Sequence, residues 1–390
     1  MEKLYNSFKI KLGDVSTDYV RDIHNQIEWE ARMVAILGAR GVGKSTLVLQ
    51  HIKLHEDLST TLYVSADDIW FATHTLVELA DTFYKSGGKV LYIDEVHKYK
   101  NWSTELKNIY DTYAKLRVVY TGSSILDLQK GGADLSRRKL EYKMHGLSFR
   151  EYLGIKYGWK ISTFTLDEIL SHKVKVDIPD FRPVGLFKDY LKEGYYPYFQ
   201  EKGYFIRLKS VINRILEEDI PQFAELSASS VAKLKKLLYI IAQSVPFKPN
   251  YSKIGRDLDL YRTTVSDLFQ LLDKAELINL LEDETQGISS LAKVDKVYLN
   301  NPNISYALSE NEPEIGNVRE TIFFALTSVL YNVYSSKVSD FKINEYTFEI
   351  GGKNKKQKQI QGIENAFVVK DDIESGYLNV IPLWEFGLLY

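Results

Sequence analysis

The chain has no cysteine among its 390 residues. Disulfides, thiolate metal sites and cysteine nucleophiles are therefore excluded. It also lacks an excess of either charge: 50 Lys and Arg against 52 Asp and Glu leave a formal net charge of −2. No global basic field draws it to nucleic acid, so any such surface must be a local patch. No apolar run approaches the ~18 residues that would span a bilayer. Met1-Glu2-Lys3-Leu4-Tyr5 lacks the apolar core of a signal peptide. The expected compartment is thus the cytoplasm, with no membrane partner. Internal repeats and low-complexity tracts are absent too. What remains is an ordinary globular composition, 45% hydrophobic and 26% charged, in a chain long enough for two or three domains.

Against that background one stretch stands out. Gly38-Ala39-Arg40-Gly41-Val42-Gly43-Lys44-Ser45-Thr46 fits G-x-x-x-x-G-K-[ST] at every fixed position. The apolar run Met33-Val34-Ala35-Ile36-Leu37 leads into it, and Leu47 to Ile52 follows with helical character. Strand, glycine-rich loop and helix start is the setting in which this pattern binds phosphate. The glycines let successive backbone N–H groups turn inward, and the helix N-terminus adds partial positive charge. Lys44 is expected to reach the β- and γ-phosphates and the Ser45 hydroxyl to ligate Mg²⁺.

Val90-Leu91-Tyr92-Ile93-Asp94-Glu95 supplies the second half of such a site: an apolar strand ending in two carboxylates. Asp94 is expected to organise Mg²⁺ and Glu95 to polarise the attacking water. A later strand, Leu116 to Gly122, ends in Thr121-Gly122-Ser123-Ser124. Ser123 is the first choice there for a polar contact to the γ-phosphate or the water. Arg137 and Arg138 are candidates for an arginine that steadies transition-state charge, in cis or from a neighbouring subunit; a solvated basic turn is the alternative.

The other segments give the fold class. Thr61 to Ser65 reads as a strand, Thr75 to Tyr84 and Trp102 to Ala114 as helices, and Lys139 to His145 as one more strand. Short apolar runs alternating with helices predict α/β architecture, a P-loop parallel sheet covering residues 1–155. Tyr19 to Ile27 has helical spacing and is expected to pack beside an adenine or pad the sheet. Residues 156–228 read as a helical connector, with helices at Phe187 to Leu191 and Tyr204 to Leu216. Within 229–300, helices at Val231 to Ser244, Tyr251 to Leu258 and Arg262 to Ala275 precede strands at Glu276 to Leu281 and Lys296 to Leu299. That is winged-helix order. Arg262, Thr263, Thr264 and Ser266 start the helix that would enter a DNA groove, although such modules also dock proteins. The basic run Lys353 to Lys358 could touch phosphate backbone or simply be solvated.

The loop Gly38 to Thr46, the stretch Leu91 to Lys98, Thr121-Gly122-Ser123-Ser124 and Gly146 to Leu153 together resemble a prokaryotic family of AAA-superclass ATPases. The resemblance runs nearly end to end. It implies ATP as the nucleotide, and no Asn-Lys-x-Asp stretch that would read guanine stands out. It also implies, for residues 301–390, a small α/β domain related to restriction-endonuclease folds. Such a site would use Glu320, Asp340 and Glu349 with a lysine. The lysine slot two residues past Glu349 is Gly351, which leaves Lys353 or Lys355 as substitutes from another backbone position. The expectation is a vestigial nuclease site.

The function expected is a Mg²⁺-dependent ATPase that couples nucleotide state to a C-terminal module for double-stranded DNA or a protein partner. The alternatives are a nucleotide-dependent DNA-binding switch with negligible turnover and an ATP-assisted nuclease. Oligomeric state stays open.

Overall fold

A computed structural model describes residues 1–125, 135–244, 246–284 and 294–390. The chain divides into two compact units, Met1–His145 and Gly146–Tyr390. The first division therefore falls about ten residues before the expected one. The helix Phe149–Tyr157 starts the second unit, with Ser148 and Glu151 forming a capping box at its N-terminus.

Among the described residues the first unit has five strands: β1 (Met33–Gly38), β2 (Thr61–Ser65), β3 (Val90–Asp94), β4 (Arg117–Ser123) and β5 (Leu140–Lys143). They form one sheet in the order β2-β3-β4-β1-β5, every pair parallel. β1 and β3 are buried throughout, as continuous apolar runs covered on both faces should be. The covering helices are α1 (Glu2–Asp14), α2 (Lys44–His55), α3 (Leu76–Lys85) and α4 (Trp102–Thr112). α3 opens with a capping box between Thr75 and Glu78 and buries Leu76, Leu79, Ala80 and Phe83 along one stripe. β4 lies between β1 and β3, so the two halves of the expected phosphate site sit one strand apart.

The helix expected over Tyr19 to Ile27 is reduced to a single 3₁₀ turn, Asp22–Gln26. Arg21 holds extended backbone angles there, and its guanidinium donates to the carbonyls of Val42 at 3.2 Å and His145 at 2.7 Å. Those bonds tie the segment down before an α-helix can propagate through it.

The second unit contains a seven-stranded sheet in the order β12-β11-β10-β9-β8-β6-β7. Its members are β6 (Ile278–Asp283), β7 (Val294–Leu299), β8 (Val333–Ser335), β9 (Phe341–Ile343), β10 (Tyr346–Gly351), β11 (Ala366–Lys370) and β12 (Val380–Pro382). Helices Ala228–Gln243, Tyr251–Leu258 and Arg262–Lys274 precede the antiparallel pair β6–β7, in the expected order. That pair does not end a separate domain at residue 300. β6 runs parallel to β8 and continues the sheet. Helices Pro183–Glu193 and Tyr204–Arg214 cover the expected connector helices, the second running on into a π turn at Ile215–Asp219. Among the described residues no helix is long and apolar enough to cross a membrane.

Candidate nucleotide and carboxylate sites

The loop between β1 and α2 is shaped by three glycines. Gly41 and Gly43 take positive φ, 87° and 98°, where a side chain would be strained. At Gly38 a Cβ would lie 2.2 Å from the carbonyl oxygen of Met144. Gly43 caps α2, so the helix begins at the loop and its N-terminal N–H groups lie there. Lys44 is buried, and its Nζ donates to the carbonyls of Gly38 at 2.8 Å and Ala39 at 2.9 Å. Its charge therefore lies across the mouth of the loop, held by its own backbone.

The strand ends complete the site. Asp94, at the tip of β3, is buried and accepts two hydrogen bonds. The Tyr63 hydroxyl donates to Oδ2 at 2.6 Å, and the Thr121 hydroxyl donates to Oδ1. The Ser45 side chain lies near the Tyr63 hydroxyl. Ser45 and Asp94, the two expected Mg²⁺ ligands, thus both neighbour Tyr63. Burial and the adjacent Asp94 push the Tyr63 phenol well above its usual range, so it stays a neutral donor.

Glu95 leaves β3 with φ 52°, a left-handed turn that is costly for a non-glycine residue. Its N–H donates to Thr121 Oγ1 at 3.0 Å. One threonine hydroxyl therefore holds both the Asp94 carboxylate and the Glu95 backbone. Burial raises the Glu95 carboxyl above its ordinary range, with the Arg40 and Lys44 charges opposing the shift and Asp94 adding to it. A carboxylate with raised proton affinity and cations at hand has the electrostatics of a general base.

Ser123 ends β4 opposite Gly38 and is buried. The structure brings Ser45, Asp94 and Glu95 together; Arg138 goes elsewhere. Arg138 forms a bidentate pair with Asp111, at 2.9 and 3.0 Å, at the C-terminal end of α4. α4 runs back from the C-terminal end of β3 to the start of the parallel β4, so Asp111, near its last turn, and Arg138 with it lie towards the ends of the strands opposite the loop. Tyr63 and Thr121 were missed by sequence reasoning, because only the strand order brings them to Asp94.

In the second unit, Glu320 lies on helix Ile315–Thr327, Asp340 just before β9 and Glu349 on β10. The Tyr298 hydroxyl donates to Glu320 at 2.7 Å, the Ile350 N–H to Asp340 at 2.8 Å and the Ser339 hydroxyl to Glu349 at 2.6 Å. Lys296 on β7 lies 3.9 Å from both Glu320 and Asp340. Lys355 pairs with Glu349. Burial raises the carboxyls of Glu320 and Asp340, each helped by a neighbouring carboxylate. Of the two lysines considered for the Gly351 gap, Lys353 is exposed and Lys355 reaches the site. A Cβ at Gly351 would come within 2.6 Å of the Lys355 side chain, so the vacated slot is where Lys355 lies. Among the described residues these carboxylates do not bring three ligating oxygens within 4.8 Å of one another.

The parallel sheet, the loop and the carboxylates after β3 define a P-loop nucleoside-triphosphatase domain of the AAA type. Residues 30–153 match the family described as an AAA domain, a class that binds and hydrolyses ATP. Residues 184–314 match a family described as a domain of unknown function, DUF8612. The chain is similar to the uncharacterized protein MJ1637 of Methanocaldococcus jannaschii, 27% identical over 269 residues. That match spans 63% of this chain and 56% of the relative, so the chain covers little more than half of it. Among solved structures it resembles the Aeropyrum pernix ORC1 protein in complex with DNA, at 13% identity and a TM-score of 0.33, covering 78% of this chain and 92% of that one. It also resembles the Saccharomyces cerevisiae Hsp104–ADP complex, at 16% identity and a TM-score of 0.31, covering 68% and 41%. Scores this low define no shared overall structure, and what those proteins bind stays with them.

Proposed function

We propose that the protein is a Mg²⁺-dependent ATPase whose nucleotide state is read out by the second unit, which binds double-stranded DNA or a protein partner. The observation that carries this reading is the hydrogen-bonded set Tyr63–Asp94–Thr121–Glu95, with Ser45 near Tyr63, beside the Lys44 loop. The donor set suits ATP with Mg²⁺: inward backbone N–H groups and Lys44 for phosphate, a hydroxyl and a carboxylate for the ion. Ser45 and Asp94 would hold the Mg²⁺, which neutralises charge on the β- and γ-phosphates. Lys44 exchanges its two carbonyl partners for phosphate oxygens. Glu95 takes a proton from the water that attacks, with Thr121 fixing the backbone turn that aims it.

The readout by the second unit rests on its helix Arg262–Lys274, whose first residues Arg262 and Thr263 are exposed with Thr264 and Ser266 half-buried. Three helices followed by β6–β7 suit a winged helix. The test is phosphate release from ATP with and without double-stranded DNA, beside Glu95→Gln. Turnover that DNA accelerates supports a DNA-directed ATPase, and turnover indifferent to DNA moves the partner to protein. Full hydrolysis by Glu95→Gln would overturn the assigned base.

A second reading, an ATP-assisted nuclease, is favoured by one observation: Lys355 fills the Gly351 gap and reaches Glu349. Against it, Lys296 and Lys355 already neutralise two of the three charges, and the oxygens do not converge. Metal-dependent cleavage of DNA that disappears in Glu349→Ala would establish it.

A further inference from the structure

The end of α2 farthest from the phosphate loop carries two histidines one turn apart, His51 and His55. Spaced i, i+4, they share a helix face. A third, His24, comes from the turn Asp22–Gln26. Each offers one ring nitrogen, and these three nitrogens lie within 4.8 Å of one another. His24 Nε2 and His51 Nδ1 are 3.0 Å apart. Two imidazole nitrogens on one tetrahedral ion with bonds of about 2.0–2.1 Å stand roughly 3.3 Å apart, so the observed spacing needs only small side-chain movement.

The surroundings are those of a built site. Trp29 stacks on the His51 ring at 3.7 Å with 8° between planes, and its indole N–H donates to the His24 carbonyl at 2.9 Å. The other nitrogen of His51, Nε2, faces Glu56 Oε1 at 3.6 Å. Glu56 is held by the Tyr92 hydroxyl at 2.7 Å and by Arg117 at 3.2 Å. A carboxylate behind a histidine fixes its tautomer and leaves the opposite nitrogen, here Nδ1, free to ligate.

We propose that His24, His51 and His55 form a tetrahedral site for a divalent transition ion of the zinc class, with a water completing the fourth position beside exposed His55. Imidazole ligands, three in number and with no cysteine in the chain, select zinc or its neighbours over Mg²⁺ or Ca²⁺. On binding, His24 carries its proton on Nδ1 and gives the Nε2 lone pair to the ion, so this pair releases no net proton. The ion ties the segment before β1 to the distal end of the helix that begins at Lys44. Its two ligands on α2, His51 and His55, lie about 9 and 15 Å along the helix from Ser45, at ~1.5 Å per residue, which makes it separate from the nucleotide site.

The test uses full-length protein stripped by chelator and free of nucleotide, titrated with Co²⁺ as the spectroscopic stand-in and then with Zn²⁺. The expected result is one Co²⁺ per chain with the intense visible bands of a tetrahedral centre, displaced by equimolar Zn²⁺, together with a rise in melting temperature. His55 is exposed, so His55→Ala folds; it should weaken Zn²⁺ binding by more than about tenfold while ATP turnover is kept. Ser45→Ala should leave the Co²⁺ bands intact. The proposal is overturned by weak octahedral spectra, by binding that His55→Ala does not change, or by bands lost in Ser45→Ala.

Discussion

Thr121→Val tests the arrangement at the strand ends most directly. Valine nearly matches threonine in shape, and the residue is fully buried, so the change removes a hydroxyl and little else. Two hydrogen bonds go with it: the one donated to Asp94 and the one accepted from the Glu95 N–H. A bond to a buried charged group contributes about 1.5–3 kcal/mol and an ordinary one about 1 kcal/mol, so roughly 3 kcal/mol of stability should be lost. For a unit of this size, ~2–4 °C per kcal/mol puts the fall in melting temperature at about 6–12 °C. The effect on turnover is larger. Glu95 sits in a left-handed turn that this hydroxyl helps to hold, and a misplacement of ~1 Å in a catalytic group can reduce rate about 100-fold. Nucleotide affinity should stay near wild type, because Lys44 and the loop do not depend on Thr121 in any bond described above. Thr121→Ser restores the hydroxyl and should recover most of the rate. Phosphate release, nucleotide titration and thermal melting, run on all three proteins, separate these effects. Wild-type turnover by Thr121→Val would refute the idea that this side chain positions the base.

Lys44→Ala should abolish nucleotide binding measured by fluorescence titration, since the charge at the mouth of the loop is gone. Glu95 acts in its deprotonated form and burial raises its carboxyl, so turnover should rise with pH through a limb above the ordinary carboxylate range, and Glu95→Gln should abolish turnover and the limb with it. Glu385 in the second unit is pushed up to about 8 by burial alone. The folded state therefore binds its proton more tightly than the unfolded chain does, and stability should fall as pH rises from about 4.5 towards 8. Glu385→Gln should flatten that slope in chemical denaturation.

What the sequence revealed and what it hid follow from how far apart the interacting residues lie. Gly38 to Thr46 and Val90 to Glu95 declare themselves because a strand, a turn and a terminal carboxylate are local patterns. Tyr63 and Thr121 stand 31 and 27 residues from Asp94, and nothing short-range marks them. They become visible only once β2, β3 and β4 are known to be neighbours. α1 was legible but unread: Leu4, Phe8 and Lys11-Leu12 carry a four-residue spacing, and Leu4, Phe8 and Leu12 are its buried face. Arg138 looked like a candidate finger because a basic turn has no intrinsic address; Asp111 supplies one. At Gly351 the absence of a lysine was readable, whereas its replacement by Lys355 needed the space left by the missing Cβ.

The pairing of β6 with β8 has a practical bearing on how the second unit can be taken apart. The three helices and β6–β7 look like a portable module, and so do the strands that follow. Yet they share a ladder, and Lys296 from the first reaches the carboxylates of the second. Cutting the chain near residue 300 would bare a sheet edge on both pieces and strand Glu320 and Asp340 without their shared cation. Grafting either half onto another protein would carry the same defect. Evolution faces the constraint as much as the experimenter does: the three helices and the carboxylate cluster are inherited together, and a change in one is felt through the strands of the other.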